Sequence, residues 1–371
     1  MEIEKHPNLN ENEKEHVLVT HDESIFRAAD DNSYGWYETG KNPIKRKGQG
    51  KSIMVSTFLC ECHGILKLSA DMEAIEGGII DVTEMIEPGG DTWWTSTDLI
   101  KQMEKALKIF ERLHPNKIGV FQFDCSSNHQ AYANDALRKE SMNLNPGGAQ
   151  KKLRDSVFGP NNTPQKFQYP ADCPILLEKK NKDGSISFSP LAGEPKGMKQ
   201  ILLERGLWKN SLKKTCKLCK SDNPDVDDRF NMNRKDCCVD RIIELQPDFQ
   251  AQVSVLEELV IKKGHQCIFL PKYHCELNFI EMFWGATKRF VRDNCNYNFD
   301  TLRKNVPLGL NSVPLDTIRR FARKSWRYMD IYSSGETGII AEYICRKFSS
   351  HRYIPNDQIA LLREEYHKMK K

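Results

Sequence analysis

The chain has 371 residues, enough to bury a sizeable core in one large domain or two smaller ones. Apolar residues make up 39% and charged residues 29% of it, a soluble globular balance, and no run of about 18 apolar residues exists to span a bilayer. The opening MEIEKHPNLNENEKEH is polar and acidic and lacks the apolar stretch of a secretory signal. An intracellular chain, nuclear or cytoplasmic, is therefore expected. There its 12 cysteines stay reduced, which leaves metal binding or plain burial as their roles. The net charge of +4 is uneven: from Met282 onward there are 17 Lys/Arg against 9 Asp/Glu, and the first 281 residues carry 38 against 42. An acidic front and a basic tail suit an enzyme acting on a polyanion, and a solvated helical surface accounts for the same counts.

In chain order, residues 16–26 (HVLVTHDESIF) read as a strand with Val17, Leu18 and Val19 buried and Asp22 at its acidic end. Residues 52–59 (SIMVSTFL) and 65–68 read as further strands, separated by Cys60-Glu61-Cys62-His63-Gly64. Residues 97–114 have helical periodicity, with Leu99, Ile100, Met103, Leu107 and Phe110 on one side, Asp98 in the opening turn and Pro115 after the end. Residues 118–123 (IGVFQF) form a short apolar strand running into Asp124, and residues 134–142 are expected to be helical.

From residue 143 to about 235 the texture becomes loop-rich: Asn145-Pro146-Gly147-Gly148, Gly159-Pro160 and Gly193-Glu194-Pro195 are turn signals, with a short helix at 198–207. A helix at 253–262, an apolar strand at 266–270 (QCIFL), a long helix at about 277–292 and a helical C-terminal third follow. Strands alternating with helices indicate an α/β fold with a mixed sheet. The expected divisions are a polar tail (1–16), a first sheet segment (17–142), a cysteine-containing insertion (143–240), a second sheet segment (241–300) and a basic helical region (301–371).

Three acidic positions share a setting: Asp22 and Asp124 at strand ends, and Glu281 one turn into the helix after the last strand. Such ends are where α/β folds gather ligands. Clustered carboxylates repel one another unless cations sit between them, and a pair of Mg²⁺ or Mn²⁺ ions takes its ligands from shared carboxylate oxygens. Singly, each acid is weak evidence: an Asp at a strand end is usually a turn former or helix cap, and a Glu on an amphipathic helix is usually solvated.

The words around the three acids carry more. VTHDESIF around Asp22, QFDCSSNHQAYA around Asp124 and HCELNFIEMFWGATKR around Glu281 resemble, in order and context, the signature blocks of mariner-type DDE transposases. The family patterns are an "SDES-F" strand, a "D-N-A-x-x-H" strand end and a "DLNPIE-xx-W-xx-LKR" helix. Residues 17–353 are also similar to transposon-derived DDE endonuclease-like proteins abundant in fungal genomes, with which they share a long cysteine-bearing insertion and FARKSWRYMD. The resemblance implies an RNase H-like sheet flanked by helices, Asp22, Asp124 and Glu281 as ligands of Mg²⁺ or Mn²⁺, and DNA as the partner, cut and joined by two-metal catalysis.

Departures from the pattern are Cys125 where the family has Asn and Phe279 where it often has Pro; neither removes a ligand. Asp124 and Glu281 stand 157 positions apart, which an insertion explains. Only about 16 residues precede the first strand, so the helix-turn-helix modules usual before such a core are expected to be missing. A non-catalytic remnant that binds DNA or protein is the alternative reading, and a homodimer is the candidate assembly.

On the long helix, Leu277, Ile280 and Trp284 share a face that would pack on the sheet, with Lys288 and Arg289 placed to reach phosphates. Cys216-x-x-Cys219 with Cys237-Cys238, separated by 17 residues, suits tetrahedral zinc as well as it suits reduced, partly buried thiols. Cys60-x-Cys62-His63 is a weaker metal motif, because strand alternation sends the two cysteines to one face and His63 to the other. Finally, Arg319, Arg320, Arg323, Lys324 and Arg327 line one side of a helix edged by Trp326 and Tyr328, a stripe able to track a phosphate backbone or simply to face solvent.

Overall fold

In the computed structural model, residues 8–31, 48–89, 92–180, 183–220, 235–348 and 353–370 are described. The first seven residues of the polar tail, residues 221–234 of the expected insertion, and 349–352 and 371 of the basic region lie outside them.

Strand β1 (His16–Arg27), β2 (Ser52–Cys60), β3 (Gly64–Ile65), β4 (Glu84–Ile86), helix α1 (Ser96–Leu113) and β5 (Ile118–Phe123) open the chain. Strands β6 (Ser156–Phe158), β7 (Thr163–Gln165), β8 (Leu176–Lys180) and β9 (Ile186–Pro190) follow, then helices α2 (Met198–Glu204), α3 (Lys217–Lys220), α4 (Val239–Glu244) and α5 (Pro247–Gln250). The last part holds α6 (Val255–Lys262), β10 (Gln266–Phe269), α7 (Phe279–Asp293), α8 (Phe299–Ser312), α9 (Leu315–Ser333), α10 (Gly338–Lys347) and α11 (Asn356–Met369). The chain divides into two compact units, one made of Met1–Ala131 with Val255–Lys371, the other of Tyr132–Ser254.

The first unit is built on a mixed sheet of order β10-β5-β1-β2-β3, with β4 also on β2. β1 runs parallel to β5 and antiparallel to β2, and β10 runs parallel to β5. Alternation along the strands sorts their side chains onto two faces. Val17, Val19, Phe58, Cys60, Phe121 and Phe123 point to one face, where α1 and α6 supply Leu99, Met103, Phe110 and Val260. Leu18, Phe26, Ile53, Val55 and Leu59 point to the other, where α7, α8 and α9 supply Ile280, Phe283, Trp284, Val306 and Ile318. α1 starts at a reciprocal cap between Thr95 and Asp98 and ends at His114, before Pro115. A third cluster joins Leu270 and Leu277 to Tyr328, Ile331, Ile344 and Ile359 from the C-terminal helices.

The second unit has its own core of Leu137, Met142, Phe167, Ile201, Leu202, Val239, Ile243 and Phe249, with two short hairpins, β6–β7 and β8–β9. Its ends, Tyr132 and Ser254, lie outside the 143–240 limits read from the turn residues. The expected helix at 134–142 is reduced to one 3₁₀ turn, Lys139–Ser141. The carbonyls of Asp135 and Ser141 accept from the backbone N–H groups of Arg154 and Lys151, long-range partners that replace the i to i+4 helical ones. The strand expected at 65–68 pairs only through Gly64–Ile65, and Asp22, read as a strand end, lies inside β1. β1 stays paired with β2 as far as Arg27–Ser52 and with β5 only to Thr20–Gln122, so Asp22 has a paired strand on one side alone. Leu277 lies ahead of α7 and joins the third cluster, so it does not share the face of Ile280 and Trp284. Among the described residues no helix is long and apolar enough to cross a membrane.

Candidate functional site

The parallel register of β1 and β5 runs from His16–Ile118 to Thr20–Gln122. Asp124 follows two residues later, past the end of β5, and its charge reaches Asp22. Asp22 alternates along β1 with Leu18 and Phe26 and so faces the side that α7 covers. Two hydrogen bonds tie the start of α7 to these strands: Gln122 Nε2 donates to Leu277 O at 3.2 Å, and Asn278 Nδ2 donates to His21 O at 3.3 Å. Glu281 follows in the first turn of α7, and one turn later Trp284 Nε1 donates to Asp22 Oδ2 at 3.0 Å.

The electrostatics follow from this crowding. Burial pushes the Asp22 carboxyl up to about 8, helped by the charges of Glu281, Glu23 and Asp124. Glu281 is exposed at the surface yet closely surrounded, and it is raised by desolvation and by Asp124 against the pull of Lys288. Asp124 goes the other way: its hydrogen bond with His129 holds it below the usual carboxylate range.

His129 is a part of the site that sequence reasoning missed. Its side chain is fully buried; Nδ1 donates to Asp124 Oδ1, and Nε2 stands 3.5 Å from Glu23 Oε1. Burial opposes its charge, but the two carboxylates outweigh that and lift it to about 10. Trp94 Nε1 donates to Glu23 at 2.9 Å. Below them His21, pushed down to about 4 by burial, hydrogen-bonds through Nε2 to Ser56 Oγ at 2.8 Å. Ser56 Oγ in turn donates to Gln102 Oε1 at 2.8 Å. His21, Glu23 and His129 bring their ligand atoms within 4.8 Å of one another. With Nδ1 on Asp124 and Nε2 toward Glu23, the His129 ring bridges the two carboxylates and clamps Asp124. The available signals were His129, five residues after Asp124 in the quoted block, and Glu23, next to Asp22.

Other expected residues are distributed unevenly. Lys288 lies 5.9 Å over the Phe26 ring and lines an open cleft of about 430 Å³ with Arg27, Asp30, Gln49 and Tyr297, while Arg289 is exposed. On α9, Arg320 and Lys324 are exposed and Arg323 is half-buried. Arg319 is engaged elsewhere, its guanidinium donating to Glu61 O at 3.2 Å and Cys62 O at 3.5 Å. Arg327 departs from the expected stripe: it is only 8% exposed. Helical periodicity alone does not reveal that α10 and the turn Cys275–Leu277 cover the C-terminal half of α9.

Within the second unit, Cys216, Cys219, Cys237 and Cys238 have all four sulfurs within 4.8 Å of one another. Cys237 Sγ stands 3.8, 3.7 and 3.9 Å from those of Cys216, Cys219 and Cys238. Four thiolates around one tetrahedral zinc at about 2.3 Å are separated by about 3.8 Å, so this donor set fits the ion.

No family model matches the chain, and no curated protein matches it. Among solved structures it is similar to "Crystal structure of the Mos1 Strand Transfer Complex", at 17% identity over 31% of this chain and 29% of that one, with a TM-score of 0.23. It is similar also to "Mos1 transposase paired-end complex with left transposon end", at 17% identity over 31% and 30%, TM-score 0.23. A third, "Crystal structure of the mariner Mos1 paired end complex with Mg", gives 18% identity over 31% and 30%, TM-score 0.22. The chain thus spans under a third of the length of the structures it matches.

Proposed function

We propose that the first unit is an RNase H-like DDE nuclease core of the mariner-type transposase kind, which cleaves and joins DNA strands with Mg²⁺ or Mn²⁺. What supports this reading is that Asp22 of β1, Asp124 just past β5 and Glu281 in the first turn of α7 lie within reach of one another's charge. Each arrives in a sequence block that resembles one of the family's three signatures. The residues fit the ions: they offer three hard oxygen donors, and the charge of Asp124 helps to raise the proton affinity of Asp22 and Glu281, a repulsion that divalent cations relieve.

When bound, a cation pair there supplies activation of the attacking water or hydroxyl and stabilisation of the leaving oxygen. The chain's own groups then have separate roles. Asp22, Asp124 and Glu281 bind the ions. Trp284 fixes the orientation of Asp22, and His129, anchored on Glu23, fixes that of Asp124. Lys288, Arg289, Arg320, Arg323 and Lys324 offer cations to phosphates. The four cysteines of the second unit hold a structural zinc.

The test is nicking of supercoiled DNA by the purified chain in Mg²⁺ or Mn²⁺. The parent should nick, and Asp124→Ala should lose at least about a hundredfold in rate while still binding DNA, because it removes a metal ligand and no phosphate contact. A parent chain that binds DNA and never nicks it fits the non-catalytic remnant instead.

A further inference from the structure

A second cluster of ligating atoms lies on the other face of the sheet, outside the carboxylate site. β2 ends at Cys60, whose side chain is buried on the α1 face. The chain then turns through Glu61–His63 into Gly64, at φ +77°, a backbone that favours glycine; a Cβ there would also come within 3.2 Å of Ile318. The turn carries the exposed His63 back over Cys60, contrary to the opposite-face placement that strand alternation predicts. His114 comes from a different element, the C-cap of α1, where its ring is buried and stacked on Phe110 at 4.7 Å.

The three ligand atoms face one another. His63 Nδ1 and His114 Nε2 are 3.3 Å apart, and Cys60 Sγ lies 3.9 Å from the first and 3.7 Å from the second. A tetrahedral zinc with Zn–S about 2.3 Å and Zn–N about 2.0–2.1 Å requires N···N of about 3.3–3.4 Å and S···N of about 3.6 Å. A hydrogen bond between the two imidazoles accounts for the first distance alone. It does not account for a sulfur placed almost equally from both.

Two supporting features surround the cluster. The His63 backbone N–H donates to Cys60 Sγ at 3.3 Å, which ties the turn to the sulfur, and Arg319 holds the carbonyls of Glu61 and Cys62 from α9. The C-terminal end of an 18-residue helix also points its negative pole at His114, where a cation is favoured.

We propose that Cys60, His63 and His114 bind a zinc ion that staples the end of β2 to the end of α1. Three protein ligands leave a fourth position for water or for the neighbouring Cys62. Because Cys60 pairs with Val19 and Thr57 with Asp22, the ion sits about 10 Å along β2 from the level of the carboxylates, on the opposite face. Its role is structural: it closes the non-catalytic end of the sheet against α1.

Bound zinc per full-length chain, measured after dialysis against a zinc-buffering chelator, decides the matter. His63→Ala, at an exposed turn position, should fold like the parent and carry one zinc fewer per chain. Its affinity at this site should be weaker by more than the roughly 10–100-fold that even outer-shell partners command. His114→Gln should lose the same single equivalent, and zinc should raise the melting temperature of the parent more than that of either variant. The cysteine cluster of the second unit is intact in all three chains, so it contributes equally to each. Equal zinc content in parent and folded His63→Ala would overturn the proposal. This readout is independent of nicking, so the site stands or falls apart from the nuclease reading.

Discussion

Asp22 and His129 titrate in ways that can be read in solution. A carboxyl raised from 3.8 to about 8 holds a proton in the folded chain that the unfolded chain has lost, so between those values stability falls as pH rises. An imidazole raised from 6.5 to about 10 contributes stability that is complete below 6.5 and is lost as pH climbs through 10. Both groups therefore make the metal-free chain less stable toward alkaline pH, in overlapping windows. Ligand ions separate them, because a cation on Asp22 must displace its proton. Mn²⁺ affinity should rise by up to about tenfold per pH unit below pH 8 and then level, whereas the 6.5–10 loss of stability should persist in saturating Mn²⁺ and vanish in His129→Gln. Calorimetric titration and denaturant unfolding across pH 5–10 measure both; a Mn²⁺ affinity independent of pH would contradict the assignment.

At the scale of elements, α9 shows where pattern reading succeeds and where it stops. Its basic positions were legible from spacing, and Arg320 and Lys324 do face solvent. Arg327 lies at a similar angle around the helix yet is buried beside Ser325, Tyr328 and Ile331, because neighbouring elements cover that end. The two halves should answer differently to alanine. Lys324→Ala should leave stability within about 0.5 kcal/mol and lower the salt slope of DNA binding by about one unit, as the loss of one phosphate contact does. Arg327→Ala should cost roughly 1–3 kcal/mol, through lost packing and buried partners, before any effect on DNA is seen. Unfolding curves and salt-dependent DNA titrations of both variants make the comparison, and an Arg327→Ala chain as stable as the parent contradicts the burial argument.

The same limit explains the rest. The helices α1 and α7 were visible in the sequence because their burial is one-sided, and β1, β2 and β5 because cover on both faces of the sheet makes them apolar runs. The 134–142 segment misled because its apolar residues Leu137 and Met142 serve the second unit's core from an irregular chain with one 3₁₀ turn. Asp22, Asp124 and Glu281 stood out through their local words. Glu23, His129 and Trp284 stand in the same three words, but their contacts were not legible, since their partners come from distant strands and helices.

For the whole molecule, an acidic stretch bearing the carboxylates precedes a C-terminal region with an excess of eight positive charges, 17 Lys/Arg against 9 Asp/Glu from Met282 onward. In the first unit strand alternation turns Asp22 of β1 to the α7 face and Cys60 of β2 to the α1 face, where His63 and His114 meet it. The central claim is that the first set holds divalent cations. Crystals of the chain soaked in Mn²⁺ test it most directly through anomalous scattering at the manganese edge. The account predicts one or two peaks, about 4 Å apart if two, coordinated by oxygens of Asp22, Asp124 and Glu281, with Asp22 still held by Trp284. Anomalous density that is absent at these carboxylates, while Mn²⁺ is bound elsewhere on the chain, would contradict it.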